Sequence, residues 1–442
     1  MGNRLWTIHF IRICIANFLL FISLYMLFPV VPAEMADRLG APVSQTGAMF
    51  LLLTLGMFAI GPFHAYLVDA YKRKYVCAFS FAVMIAATAG YGFVNDITQL
   101  LLLCLVQGIA FGMATTAGIT LAIDITGTHL RSSGNVAFAW AARIGMLVGI
   151  ALGVVIYQWY DFHILLYVSV ICGLVGVFFV SRVYVPFRAP IVTRLCSSDR
   201  FLLPRGWLPA LNFALIAFIP GLLLPVFHHS LSDVLIGKIT IPFFAIVGVG
   251  FLFSVLLAKL VYREEKSLRI IILGISLMMV SFTLLEELPT SVVAMLLGLG
   301  LGLVTPEFLL IFVKLSHHCQ RGTANTTYLL AWETGMSLGV AVACYMSVES
   351  SVESIYHLGR IVSPIALLFF VLLAYPYFKR KRVRPLPNPP WERGLRLLPL
   401  LRRGLYIRYK DNQSYNCRSN GTYQYCTCCN VFYFACYRIP FR

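Results

Sequence analysis

Almost all of the first 378 residues fall into twelve long apolar runs separated by short polar connections. A run of about 20 mostly apolar residues matches a hydrocarbon core roughly 30 Å thick. Inside lipid the backbone must satisfy its own hydrogen bonds, so each run is predicted to be an α-helix. The pattern predicts an all-α integral membrane protein with twelve transmembrane helices. Composition excludes a soluble alternative: 59% of the 442 residues are hydrophobic and 12% charged, too few polar side chains to coat a water-facing surface.

The expected spans are Trp6–Phe28, Gln45–Val68, Tyr75–Val94, Thr98–Thr120, Val136–Tyr157 and Phe162–Tyr184. After a basic connection follow Trp207–Phe227, Ile239–Val261, Arg269–Leu285, Ser291–Val313, Thr326–Met346 and Ile361–Phe378. Charge sorts the connections into two sets. One holds Arg4, Lys72, Arg73, Lys74, Arg131, the arginines from Arg182 to Arg205, Arg263, Lys266, Arg321 and the cluster from Lys379 to Arg382. The other has only Arg38, Lys238 and Arg360 against Glu34, Asp37, Asp96, Asp161, Asp233, Glu286, Glu287, Glu349 and Glu353. Because basic loops stay inside, both termini are expected in the cytoplasm, as an even number of spans requires. The expected location is multi-pass in a bacterial cytoplasmic (inner) membrane. The net charge of +17 gathers in these loops and beyond Lys379, which fits anionic lipid and not nucleic acid.

Two stretches align at a constant offset. Arg131, Asn135, Ala141, Gly145, Met146 and Gly149 match Arg321, Asn325, Ala331, Gly335, Met336 and Gly339. Upstream, Gly108, Gly112 and Thr115 match Gly298, Gly302 and Thr305. Spans 4 and 5 therefore repeat as spans 10 and 11, and two six-helix, pseudo-symmetric halves of one orientation follow. Such parallel repeats place a solute site between the halves near mid-membrane. The expected units are a first half, 1–184, a cytoplasmic linker, 185–206, a second half, 207–378, and a basic, Pro- then Cys-rich tail, 379–442.

The twelve-span region resembles the major facilitator superfamily. The best local motif is Ala65-Tyr-Leu-Val-Asp-Ala-Tyr-Lys-Arg-Lys74, in which Leu67, Asp69, Tyr71, Arg73 and Lys74 fit the family pattern. Ala65, Val68, Ala70 and Lys72 depart from it. A second element, Asp124, Arg131 and Gly134, is similar to the family's acidic residue and Arg–x–x–Gly after span 4. The resemblance implies a secondary transporter working by alternating access. It also implies a cytoplasmic latch built from Asp69, Arg73, Lys74, Asp124, Arg131 and Arg321, with Asp69 capping a neighbouring helix or pairing with an arginine across the halves. Family members usually work as monomers, and their spans 1, 4, 7 and 10 line the cavity. Where the family often has an arginine in span 4, this chain has Cys104, followed by Gln107-Gly108. The glycine-proline signature of drug antiporters is incomplete: Gly145, Gly149 and Gly153 recur without the proline, and such a stripe lets two helices approach closely.

Arg143 and Glu333 are the strongest candidates for the transport path. They hold equivalent repeat positions in spans 5 and 11, twelve residues beyond their loop arginines, about 18 Å of helix rise. Each stands two positions before a repeat glycine, about 200° around the helix from it. The glycine face can therefore pack while the charge faces elsewhere. A charge at this depth is costly unless paired or hydrated, and functional by default. A structural pair locking the halves is the competing reading. Glu307 follows Pro306, where a broken backbone is expected, and is a candidate protonatable carboxylate, with Lys314 as an alternative ion-pair partner. Asn17 and Gln107 are neutral candidates on the path, Gln107 equally for a helix contact. The carboxylates would bind protons or a cationic group, with a lean to efflux of a small organic or amphiphilic compound.

Other classes find less support. Gly335-Met-Ser-Leu-Gly339 matches the hydrolase pattern Gly-x-Ser-x-Gly, but that serine requires a strand-to-helix elbow. An intramembrane serine protease would also need a base at depth, and all nine histidines lie near span ends or in loops. No phosphate loop is present, and the histidine pairs lack close carboxylate or cysteine partners, so no cofactor or metal is expected. A non-transporting sensor or assembly protein of the same fold is the main alternative. The tail, with Arg384-Pro-Leu-Pro-Asn-Pro-Pro390 and then Cys417, Cys426, Cys428, Cys429 and Cys436, fits neither a span nor a compact domain, and no transport role is expected of it.

Overall fold

The computed structural model describes residues 5–126, 130–185, 195–196, 201–226, 231–236, 239–261, 267–317, 320–349 and 352–381. The cysteine-bearing tail and most of the linker lie outside them. The long helices are α1 Ile8–Tyr25, α2 Met49–Ala70, α3 Arg73–Gly90, α4 Ile97–Ile125, α5 Arg131–Trp159 and α6 Phe162–Ser181. They continue as α7 Trp207–Val226, α8 Phe243–Val261, α9 Ser267–Thr283, α10 Thr290–Leu315, α11 Arg321–Glu349 and α12 Val352–Phe369. A π-turn, Phe370–Ala374, carries α12 on into Tyr375–Lys381. Among the described residues, ten segments are long and apolar enough to cross a membrane, while in α8 and α9 the apolar stretches Phe243–Ser254 and Leu268–Thr283 are shorter. The chain is an integral, multi-pass membrane protein.

Local chemistry sets several boundaries. Thr7 caps α1 by accepting from the Phe10 N–H at 3.3 Å, and Asp96 caps α4 by accepting from the Thr98 N–H at 3.1 Å. A short helix, Val31–Leu39, stops at Gly40, whose φ of 61° is the left-handed conformation that glycine adopts without a Cβ clash.

Two sequence expectations require correction. The eighth span was to begin at Ile239, but Ile239–Pro242 is a strand, β2, paired antiparallel with β1, Leu231–Ile236, and the helix begins at Phe243. Ile239, Thr240 and Ile241 are β-branched and favour an extended backbone. The backbone around Pro306 was to be broken, yet α10 runs through it unbroken. One proline removes a single ladder bond, and the helix is packed against α8 and α9.

The helix contacts repeat. In the first half α1 packs on α5 and α6, α2 on α4, and α3 on α4 and α6. In the second, α7 packs on α11 and α12, α8 on α10, and α9 on α10 and α12. Glycines set the closest of these approaches. Gly145, Gly149 and Gly153 lie against the backbone of α1 at Phe18, Ile22 and Met26, while Gly335 and Gly339 lie against α7 at Ala214 and Phe218. Gly108 meets Leu53 of α2, and its repeat partner Gly298 meets Val247 of α8. Each repeated glycine thus makes the equivalent contact in its own half. Between the halves, α2 meets α11 and α5 meets α8, again a symmetric pair.

Candidate functional site

Because the glycine faces of α5 and α11 are taken by α1 and α7, the residues two positions earlier turn toward the other half. Arg143 Nη1 stands 3.6 Å from Glu333 Oε1, across the boundary between the halves. The two are 2% and 0% exposed. Tyr25, the last residue of α1, donates its hydroxyl to Glu333 Oε2. The Arg143 guanidinium lies over the Trp332 ring at 4.1 Å and the Tyr328 ring at 5.3 Å, both on α11. Glu333 thus ties its helix to α1 and α5 at once. A guanidinium and carboxylate removed from water need this density of partners, since desolvation otherwise outweighs their attraction.

The surroundings differ on the two sides of this cluster. The basic side is the one on which α2 ends and α3 begins, and the far side is its opposite. Toward the far side the halves are in close contact. Gly47 of the first half lies against Cys344 of α11, beside an aromatic group within the first half in which Tyr25 stacks on Phe28 at 4.4 Å between ring centroids and Phe28 meets Phe50 at 4.3 Å. The Thr54 hydroxyl donates to Ser337 Oγ at 2.7 Å. Toward the basic side lies a cavity lined in part by Asn17, Thr115, Asn135, Arg143, Asn325 and Tyr328. Its lining thus draws on α1, α4 and α5 from one half and, with Leu309 added, on α10 and α11 from the other.

A second, smaller cavity near the basic end is lined by Met57, His64, Thr326 and Phe201. Phe201 comes from the connection between the halves and packs against Phe58 and His64 of α2, its ring 6.1 and 5.9 Å from theirs. The Leu203 N–H donates to Thr327 Oγ1 of α11 at 2.8 Å, pinning the same segment to the other half.

The remaining sequence candidates are dispersed. Asn17 lines the main cavity but donates its amide to the Phe138 carbonyl at 3.0 Å, which ties α1 to α5. Gln107 is buried outside that lining: it accepts from the Tyr91 hydroxyl at 2.6 Å and donates to Thr88 Oγ1 at 3.0 Å, a contact of α4 with α3 and its end. Glu307 is 4% exposed within the intact α10. At the basic ends of α2, α3 and α4, Arg73 donates to Asp69 at 3.1 Å and to Asp124 at 2.5 Å. Asp69 therefore has a partner within its own half. Lys74 is half-buried beside this network. The side chains of Arg131 and Arg321, also expected there, lie outside the described residues. Ser337 sits inside α11, so the elbow that a hydrolase serine requires is not formed.

Sequence reasoning passed over Tyr25, Trp332, Tyr328 and, as site residues, Asn135 and Asn325. An aromatic residue in an apolar run carries no separate signal. The asparagines were visible only as matched repeat positions.

A chain whose two repeated helix groups meet at a buried charge cluster, with a cavity on one side of it, has the architecture of a secondary transporter. The family model described as Major Facilitator Superfamily matches residues 13–340, and the chain belongs to that family. Similar solved structures include the human organic anion transporter MFSD10 (TETRAN), 14% identical, covering 82% of this chain and 98% of that one with a TM-score of 0.61. The nucleoside transporter NupG is 13% identical, over 83% of this chain and 100% of its own, with a TM-score of 0.60. A peptide transporter POT in complex with sulfate is 12% identical, over 86% and 97%, with a TM-score of 0.64. At these identities the likeness is one of fold. No curated protein matches the chain in sequence.

Proposed function

We propose that this protein moves a small organic solute across the membrane by alternating access, coupled to protons through Glu333. It is read as a transporter and not an enzyme. The halves, 1–184 and 207–378, rock about the Arg143–Glu333–Tyr25 cluster, with 185–206 as the linker. The basic side is assigned to the cytoplasm of a bacterial inner membrane, and the protein works as a monomer. In this arrangement the cavity faces the cytoplasm, and the contacts of Gly47 with Cys344 and of Thr54 with Ser337 close the other side.

One observation carries the reading: a carboxylate buried between the halves holds groups from two helices of the opposite half. Adding a proton to Glu333 removes its attraction for Arg143 and one acceptor for Tyr25, and so loosens the far-side closure. Proton binding and the direction of opening are thereby linked through the same atoms. A lining that sets the apolar Phe21, Ile119, Phe138, Leu309 and Leu329 beside polar groups favours an amphiphilic passenger, and efflux is the preferred direction.

The test begins with a thermal-shift screen of purified protein against a metabolite and drug library, followed by uptake of each hit into proteoliposomes under a proton gradient. Glu333→Gln is expected to abolish gradient-driven accumulation while keeping solute counterflow. Arg143→Ala is expected to lose both. Full gradient-driven accumulation in both variants would overturn the coupling role, and failure of every hit to exchange in counterflow would favour a non-transporting sensor.

A further inference from the structure

The Arg143 guanidinium has three sides, and two are accounted for. Its face lies on Trp332 and Tyr328, and Nη1 faces Glu333. The remaining edge, Nε and Nη2, is buried and has no hydrogen-bond partner among the described residues. The Glu333 contact of 3.6 Å is itself longer than the roughly 2.7–2.9 Å of a direct charge-assisted hydrogen bond. Leaving such donors unpartnered costs free energy that an acceptor of the right shape would recover. The two parallel N–H bonds of a guanidinium edge match the two oxygens of one carboxylate.

The cavity narrows the choice further. Arg143 is the only charged residue among its described lining, so a second anionic group would find no counter-charge. Two amides, Asn135 and Asn325, line it from equivalent repeat positions, 4% and 5% exposed. Asn135 Nδ2 and Asn325 Oδ1 are both buried without a partner among the described residues. The rest of the wall is largely apolar, from Phe21, Ile119, Phe138, Leu309 and Leu329.

We propose that this cavity binds a small monocarboxylate with an apolar body, its carboxylate on the Nε–Nη2 edge of Arg143 and its flank against the Asn135 and Asn325 amides. The proposal deepens the transport reading by naming the passenger's chemical class, and it rests on that reading only for the passenger's fate after binding.

The test is isothermal titration of the full-length protein in lipid nanodiscs with phenylacetate and hexanoate, against phenylacetamide and phenethylamine. Both acids are expected to bind, with the amide weaker by about tenfold or more and the amine weaker still. Arg143→Lys keeps the charge but loses the forked edge, and should weaken phenylacetate by about tenfold or more. Asn135→Ala and Asn325→Ala should each weaken it by about fivefold. An amide that binds as tightly as the acid, or acid binding unchanged in the variants, overturns the proposal. Should Arg143→Lys fail to fold, the acid–amide ratio on the native protein and the Asn325→Ala titration still decide. Loss of proton coupling in proteoliposomes would leave the acid preference intact, whereas loss of the acid preference would leave coupled transport of another solute standing.

Discussion

Arg143 and Glu333 occupy the same register of two repeated helices and meet each other at 3.6 Å. Opposite charges at equivalent positions face each other at this contact. Glu333→Leu alone leaves a buried guanidinium without its counter-charge, at an expected cost of about 3–5 kcal/mol. Combining it with Arg143→Met should recover most of that loss. Denaturant unfolding in detergent would read both, and equal destabilisation of the single and the double variant would show that the pair is not coupled.

Tyr25 bonds Glu333 through its hydroxyl, while its ring also stacks on Phe21 and Phe28. Tyr25→Phe therefore keeps the packing and deletes one link across the halves. The far-side closure is expected to weaken by about 1–3 kcal/mol, or about 5–150-fold. Cys344 is fully buried against Gly47 at that closure and reports on it. Its labelling by a membrane-impermeant maleimide should accelerate in the variant, and an unchanged rate would count against the link.

A methyl group added at Gly149 would stand 2.9 Å from the Ile22 carbonyl oxygen and 3.0 Å from its Cα. Both neighbours are backbone and cannot turn aside. Gly149→Ala should cost about 1–3 kcal/mol, and Gly149→Leu more. Gly322, which has nothing within 4 Å of the added position, is the matched control and should accept alanine with little change. Comparable thermal stability of the two alanine variants would refute the close-approach argument.

Asp96 titrates outside the membrane. Hydrogen bonds from the side chain and then the N–H of Thr98 hold its carboxyl below the usual carboxylate range. A lowered folded value means that the cap stabilises the protein above the unfolded value of about 4 and loses that contribution as pH falls through the folded one. The melting-temperature gap between the native protein and Asp96→Ala should therefore be full at pH 7 and shrink below about pH 4. A gap independent of pH would show that the carboxylate plays no capping role.

The membrane helices were legible because lipid leaves the backbone few choices, so apolar length translates directly into helix. The repeat was legible because glycines at matched register make matched contacts, as Gly108 and Gly298 do. What remained hidden depends on distance in space. Nothing in the order of residues says that Tyr25 reaches Glu333, or that Gln107 turns to Thr88 and Tyr91. The start of α8 was misplaced because the stretch from Ile239 to Pro242 is as apolar as a helix, and hydrophobicity alone does not distinguish a strand from a span.

The repeat also constrains which residues can stand at the shared axis. Two identical copies joined at this register would have brought guanidinium against guanidinium, or carboxylate against carboxylate, at their shared axis. Only where the two copies differ can the residue facing its own duplicate be its counter-ion. The loss of sequence symmetry at that one point is what lets a structurally symmetric pair of helix groups hold together there.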